Sequence, residues 1–157
     1  MFYRELTFNN LVILECVSKT LSALHLYQDP FDFRLYIKWS RVLIQAHLSC
    51  SQVESPTQDL LAFISNLCTL LGTTSSSRYS AQDVLWITVS LWNKGTEIWA
   101  AGLLQDAQEW LESSLKVAAF CNTFDVSTAR QLEEIRKLYT EFLALLDVDG
   151  DSMMIMD

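Results

Sequence analysis

The stretch "VSLWNKGTEIWAAGLLQDAQEWLESSLKVAAF", residues 89–120, places two glycines inside the most aromatic part of the chain. Leu91, Trp92, Ile98 and Trp99 follow helical spacing, and Gly95 interrupts them. A glycine inside a helix costs about 1 kcal/mol relative to alanine. It is tolerated where another backbone must come close. Gly102 stands where one apolar run stops and a second begins, the place of a helix-ending turn. In the second run Ala107, Trp110, Leu111, Leu115 and Ala118 share one face, and Asp106, Glu109 and Glu112 share the other. The stretch therefore reads as two antiparallel helices joined at Gly102.

A tetratricopeptide (TPR) repeat is such a hairpin, about 34 residues long. Its pattern calls for a small residue where the helices cross and a large one three positions on. A glycine follows at the turn, then a large residue, an alanine and another large residue. Gly95, Ile98, Gly102, Leu104, Ala107 and Leu111 fill these places in order. Gly95, Ile98, Gly102, Ala107 and Leu111 are the repeat-packing residues of this reading. Shifting the frame by one repeat length in either direction gives no comparable match, so the neighbouring hairpins are degenerate repeats or end caps.

Working outward, the rest of the chain also reads as helices. The first, about residues 10–27, carries Leu11, Leu14, Ser18, Leu21 and His25 on one face, widened by Val17 and Leu24. "QDPFD" breaks it, with Asp29 capping the next helix and Pro30 at its first position. That second helix, about residues 31–49, has an apolar row at Tyr36, Trp39, Leu43 and Ala46. Arg34, Lys38 and Arg41 form a basic row read as a solvated face, with a contact for an acidic partner as the alternative. In "SPTQ", Ser55, Pro56 and Gln58 make a helix start. Leu60, Phe63, Ile64, Leu67 and Leu71 form the stripe of this third helix, and Gly72 is read as its left-handed end. Ser80 caps the fourth helix, which is apolar nearly all round. The sixth follows Ser127, with Leu132, Ile135, Leu138, Phe142 and Leu146 inward and Glu133 paired to Lys137.

The predicted fold is all-α, a TPR-like α-solenoid of about six helices. It forms a single domain over residues 1–146, with its clearest repeat at 88–121. A flexible Ser/Thr-rich loop is expected at 73–80 and an acidic disordered tail at 147–157.

Of the 157 residues, half are hydrophobic, and Gly and Pro together number only six, which disfavours both a disordered chain and a turn-rich β fold. The formal charge of −8 lacks the cationic excess that phosphate binding needs, so direct nucleic-acid binding is not expected. Neither is attachment to an anionic membrane. Glu5, Asn9, Asn10 and Glu15 interrupt the apolar N-terminus, which is read as neither signal peptide nor span. Cys16, Cys50, Cys68 and Cys121 are too scattered for a zinc site and read as small buried hydrophobes in a reducing compartment.

Chemistry-bearing motifs are missing from this reading. No nucleophile elbow, phosphate loop or metalloprotease helix occurs. His47 precedes Cys50 at one-turn spacing, but no further ligand joins them, and His25 reads as a core-edge residue. "DVDGDSMMIMD" has the wrong glycine spacing for a calcium loop. The expectation is a protein without enzyme activity, cofactor or metal. Trp92 and Asn93 have two readings: Trp92 in the core with Asn93 hydrogen-bonded to a neighbouring loop, or an aromatic and an amide at the end of a helical array forming an interaction hot spot, since Asn93 is the residue that fold alone does not explain.

Residues 83–118, "DVLWITVSLWNKGTEIWAAGLLQDAQEWLESSLKVA", resemble the C-terminal portion of the meiosis-specific TPR scaffolds. These are the Zip-four or sporulation-specific twenty-two proteins of fungi and their testis-expressed animal relatives. The resemblance rests on Trp86, the Trp92–Asn93 pair, Ala107, Trp110 and Ala118. The residues after the pair, "KGTEIW", differ from those commonest in the family, whose members are several times longer. The resemblance implies a long, non-catalytic solenoid in the nucleus, on chromosomes. It would link crossover factors to the synaptonemal complex, with Trp92 and Asn93 as partner-binding residues. The alternative is a helical-repeat adaptor of an unrelated, cytoplasmic pathway.

Overall fold

The computed structural model describes residues 12, 14–23, 32–49, 57–121 and 125–153, with Thr57 and residues 147–153 described as backbone only. Among the described residues the chain is helical throughout, with no strand. A helical segment at residues 14–23 (α1) buries Leu14, Val17 and Leu21 and exposes Ser18. The remaining helices are Phe33–Ser49 (α2), Thr57–Thr73 (α3), Ala81–Ala100 (α4), Leu104–Ala118 (α5) and Val126–Met153 (α6).

The α4–α5 hairpin is the best-tied part of the molecule. Gly102 has φ +83°, and the amides around it close α4 in the double-bonded Schellman pattern. The Gly102 amide donates to Trp99 O at 2.8 Å, and the Leu103 amide donates to Ile98 O at 3.2 Å. The chain therefore reverses within three residues. Cross-helix contacts fix the antiparallel register. Gly95 faces Leu111. Ser114 Oγ donates to Thr88 O at 2.8 Å, and Cys121 Sγ reaches Ala81 O at 3.9 Å. Thr88 and Ser114 are fully buried; this bond gives the Ser114 hydroxyl its acceptor, and the Thr88 hydroxyl donates to Val84 O at 3.0 Å, so neither is left uncompensated in the interior.

Around this hairpin α2 packs on α4, α3 on α5, and α6 on α5. The apolar interior falls into two clusters. The larger joins α1, α2, α3 and the outer length of α4–α5, with Ile37, Ile44, Leu67, Ile87, Leu91 and Val117 wholly buried. The smaller lies at the turn end of the hairpin, where Phe142 of α6 meets Trp92, Ala107 and Leu111.

Several expectations are corrected. α3 runs through Gly72, and among the described residues only Gly102 has positive φ, so Gly72 is no left-handed end. Instead the Phe120 ring approaches the site a Cβ at Gly72 would occupy, at 3.7 Å. α2 is capped by Asp32, whose carboxylate accepts from the Leu35 amide at 3.1 Å; Asp29, Pro30, Ser55 and Pro56 lie outside the described residues. The loop after α3 contains a 3₁₀ turn at Ser76–Arg78, and Tyr79 anchors it. Tyr79 is buried, meets Phe33 edge-on at 5.8 Å and donates its hydroxyl to Phe120 O at 3.3 Å.

α6 begins one residue before Ser127. Asp125 caps it by accepting from the Thr128 amide at 2.7 Å and the Thr128 hydroxyl at 2.9 Å. The helix continues to Met153, so the backbone of residues 147–153 is helical where a disordered tail was expected. Leu138 is 46% exposed, and Tyr139 takes its place on the inward face. Glu133 pairs with Arg136 at 3.7 Å and not with Lys137.

Candidate protein-interaction site

Consecutive helical residues point about 100° apart, and this separates the Trp92–Asn93 pair. Trp92 is 8% exposed and packs with Ala107, Leu111 and Phe142. Asn93 faces solvent. The Asn93 backbone carbonyl accepts from the Thr96 hydroxyl at 2.9 Å. Beside it Lys94 and Glu97 form an ion pair at 3.1 Å. The exposed part of the pair is thus an amide with both donor and acceptor capacity, on a helix that the neighbouring Trp92 ring anchors to the core.

Four of the five repeat-packing residues meet in the α4–α5 interface, while Gly102 is exposed at the turn. Gly95 and Ala107 are buried and Leu111 is wholly so, while Ile98 is partly buried between the two clusters. A Cβ at Gly95 would lie 2.7 Å from Leu111 Cδ2 and 3.2 Å from its amide nitrogen, so the α4 backbone rests on α5 at this point. Trp99 meets the Phe142 ring edge-on at 4.8 Å and belongs to the core of the hairpin's turn end.

A second surface lies between α2 and α4. The row Arg34, Lys38 and Arg41 is not a uniformly solvated face. Arg41 Nη1 pairs with Asp83, which is 6% exposed, and the guanidinium lies 4.6 Å over the Trp86 ring. Arg34 reaches Ser77 O at 3.4 Å. Trp39, expected on the inward face, is 36% exposed, beside Val42 at 42%. A groove of about 710 Å³ opens here, with Lys38, Val42 and Ala46 on one wall and Trp86 on the other.

Glu112, expected to face out, is partly buried. Its carboxylate accepts from Tyr139 Oη at 3.0 Å and from Gln108 Nε2 at 2.9 Å. Burial and this carboxylate push the Tyr139 hydroxyl up to about 12, so it stays a donor throughout the physiological range. Sequence periodicity missed this network and the Arg41–Asp83 pair, because both join residues far apart in the chain.

The other chemical candidates stay apart. His47 is half-buried, its Nδ1 has no partner among the described residues, and burial holds its pKa below the usual imidazole value against a smaller opposing pull from Asp59. Cys16 is exposed, contrary to the buried reading; Cys68 is half-buried with its thiol pushed up by burial, and Cys121 is buried. His25 and Cys50 lie outside the described residues. Among the described residues no three His, Cys, Asp or Glu side chains gather to hold a metal ion, and no helix is long and apolar enough to cross a membrane. No family model, curated protein or solved structure matches the chain.

Proposed function

We propose that the chain is a non-catalytic, TPR-like interaction module that binds another protein through the α4 surface centred on Asn93. One observation carries the reading: an exposed amide adjoins, in sequence, a buried tryptophan that anchors the helix to the core, and α5 crosses that helix closely at Gly95. A surface placed so firmly loses little freedom on binding, which is what a hot spot needs. The order of packing, α2 on α4 and α3 on α5, supports stacked helical hairpins, since alternate helices of such a stack lie side by side.

The resemblance of residues 83–118 to the meiotic scaffolds names the setting: a nuclear, chromosome-associated scaffold joining crossover factors to the synaptonemal complex. Trp92 anchors the helix of the site to the core, and Asn93 makes the contact. An adaptor in an unrelated pathway is the second reading, favoured by the departure at "KGTEIW".

The test is capture of partner proteins from meiotic cells with the intact chain and with Asn93→Ala. Because Asn93 is exposed, the variant should keep its helical circular dichroism and change stability by less than about 0.5 kcal/mol. It should lose most of the captured protein. Unchanged capture would remove Asn93 from the site, and loss of helicity together with capture would make its role structural. Crossover or synaptonemal factors among the captured proteins support the meiotic setting, and their absence favours the unrelated adaptor.

A further inference from the structure

We infer that the groove between α2 and α4 docks an acidic segment of another protein, one that carries a bulky apolar side chain between carboxylates. The inference uses none of the residues assigned to the Asn93 surface and stands independently of it.

The argument begins with charge. The chain carries a formal charge of −8, which repels acidic ligands from most of its surface. The α2 face reverses that sign locally. Arg34, Lys38 and Arg41 recur at helical spacing along it, and only Arg41 meets a carboxylate among the described residues. Lys38 is exposed and makes no ion pair among the described residues. Arg41 lies over the Trp86 ring and is tied to Asp83, with its side chain still 37% exposed. The row is therefore one half-neutralised guanidinium followed by two further cations.

Beside this row the surface is apolar. Val42 on the groove wall is 42% exposed, and Ala46 and Trp86 line the same groove. The groove's volume of about 710 Å³ would admit a large side chain with its flanking backbone. A purely acidic ligand would leave Val42 and the Trp86 edge uncovered, and a purely apolar one would bury Lys38 without a partner. A segment with an apolar residue over Val42 and Trp86, and carboxylates toward Lys38 and Arg41, satisfies both. Charge complementarity of this kind selects the partner and its register.

The test uses the whole chain, isotope-labelled, in nuclear magnetic resonance titrations with two synthetic peptides. One centres a Leu-Phe pair between Glu-Asp pairs; the other replaces every acid by Lys. The acidic peptide should shift the Trp86 indole and the Val42 and Gln45 amides, and the basic one should not. Raising the salt concentration should weaken binding, since the pairs are near the surface. Lys38→Glu should weaken it about tenfold or more, and Lys38→Arg should restore it. Each variant's unperturbed spectrum reports whether it folds. Equal binding of both peptides, binding by neither, or an unchanged affinity in Lys38→Glu would overturn the inference. So would the same shifts on concentrating the chain alone, because the occupant would then be a second copy. Shifts confined to Asn93 would overturn it while leaving the Asn93 surface intact, and loss of capture by Asn93→Ala would leave this groove untouched.

Discussion

A Cβ at position 95 would stand 2.7 Å from Leu111 Cδ2 and 2.9 Å from its Cγ, and Leu111 is wholly buried with no free space to enter. Gly95→Ala therefore sets two effects against each other. Helix propensity favours alanine by about 1 kcal/mol. Overpacking a filled core costs about 1–3 kcal/mol. The clash includes the Leu111 backbone amide at 3.2 Å, which cannot rotate away, so overpacking wins. The expected result is a lower urea midpoint, a loss of about 1–2 kcal/mol, with an unchanged slope. Gly102→Ala serves as the contrast. Nothing lies within 4 Å of its Cβ position, and its cost of about 1 kcal/mol comes from φ +83° alone, so asparagine should be tolerated better there. A stabilised Gly95→Ala would mean that the helices do not cross closely at that point.

At the scale of elements, the hairpin was legible because its signals are local. Gly95, Gly102 and Ala107 declare a crossing, a turn and a facing helix within thirteen residues. The inward face of α6 departs from its expected set at one residue, Leu138. Hydrophobicity ranks Leu138 above Tyr139, but Tyr139 finds the Glu112 carboxylate across the interface, and a rank of hydrophobicity contains no partner. The basic row of α2 was misread for a related reason: Asp83, which binds Arg41, lies 42 residues away in the chain. Cap residues were legible only in part. Ser80 accepts from the Gln82 amide as expected, while α2 is capped by Asp32, three residues after the expected Asp29, and α6 by Asp125, two residues before Ser127.

The C-terminal turn of α2 makes a prediction about pH. A helix end ordinarily favours a charged histidine. At His47 burial outweighs this and the Asp59 charge, and holds the folded pKa below the unfolded value of about 6.5. The unfolded chain then binds a proton first as pH falls. Stability should be at its full value above about pH 6.5 and decline as acid is added, until the folded His47 also protonates. Carboxylates such as Asp125, whose pKa is lowered by Thr128, act in the same direction at lower pH. The comparison is therefore between the chain and His47→Gln, with melting measured from about pH 7.5 to 5.5. The two curves should diverge below about pH 6.5. Parallel curves would show that His47 is equally solvated in both states.

In the whole molecule the two apolar clusters divide the labour. The larger one ties α1, α2 and α3 to α4 and α5, and the smaller one ties α6 across the turn end of the hairpin. They share Ile98 at their border, and α6 also sends Leu132 into the larger cluster. Among the described residues Phe142 is the only α6 side chain wholly buried in the smaller one, and both Trp99 and Tyr139 pack on its ring. Phe142→Ala should cost about 3–5 kcal/mol of local packing. Because that packing is segregated, the loss should fall unevenly. Amide exchange should accelerate along α6 and near Trp99, while amides of α2, α3 and the Thr88–Ser114 region of the hairpin stay protected. The Trp92 ring loses one neighbour but keeps Ala107 and Leu111, so the Asn93 surface should survive and still capture its partner. Uniform acceleration across all helices would mean that the clusters unfold as one unit, and α6 would then belong to the core that holds the interaction surface rather than to its outer support.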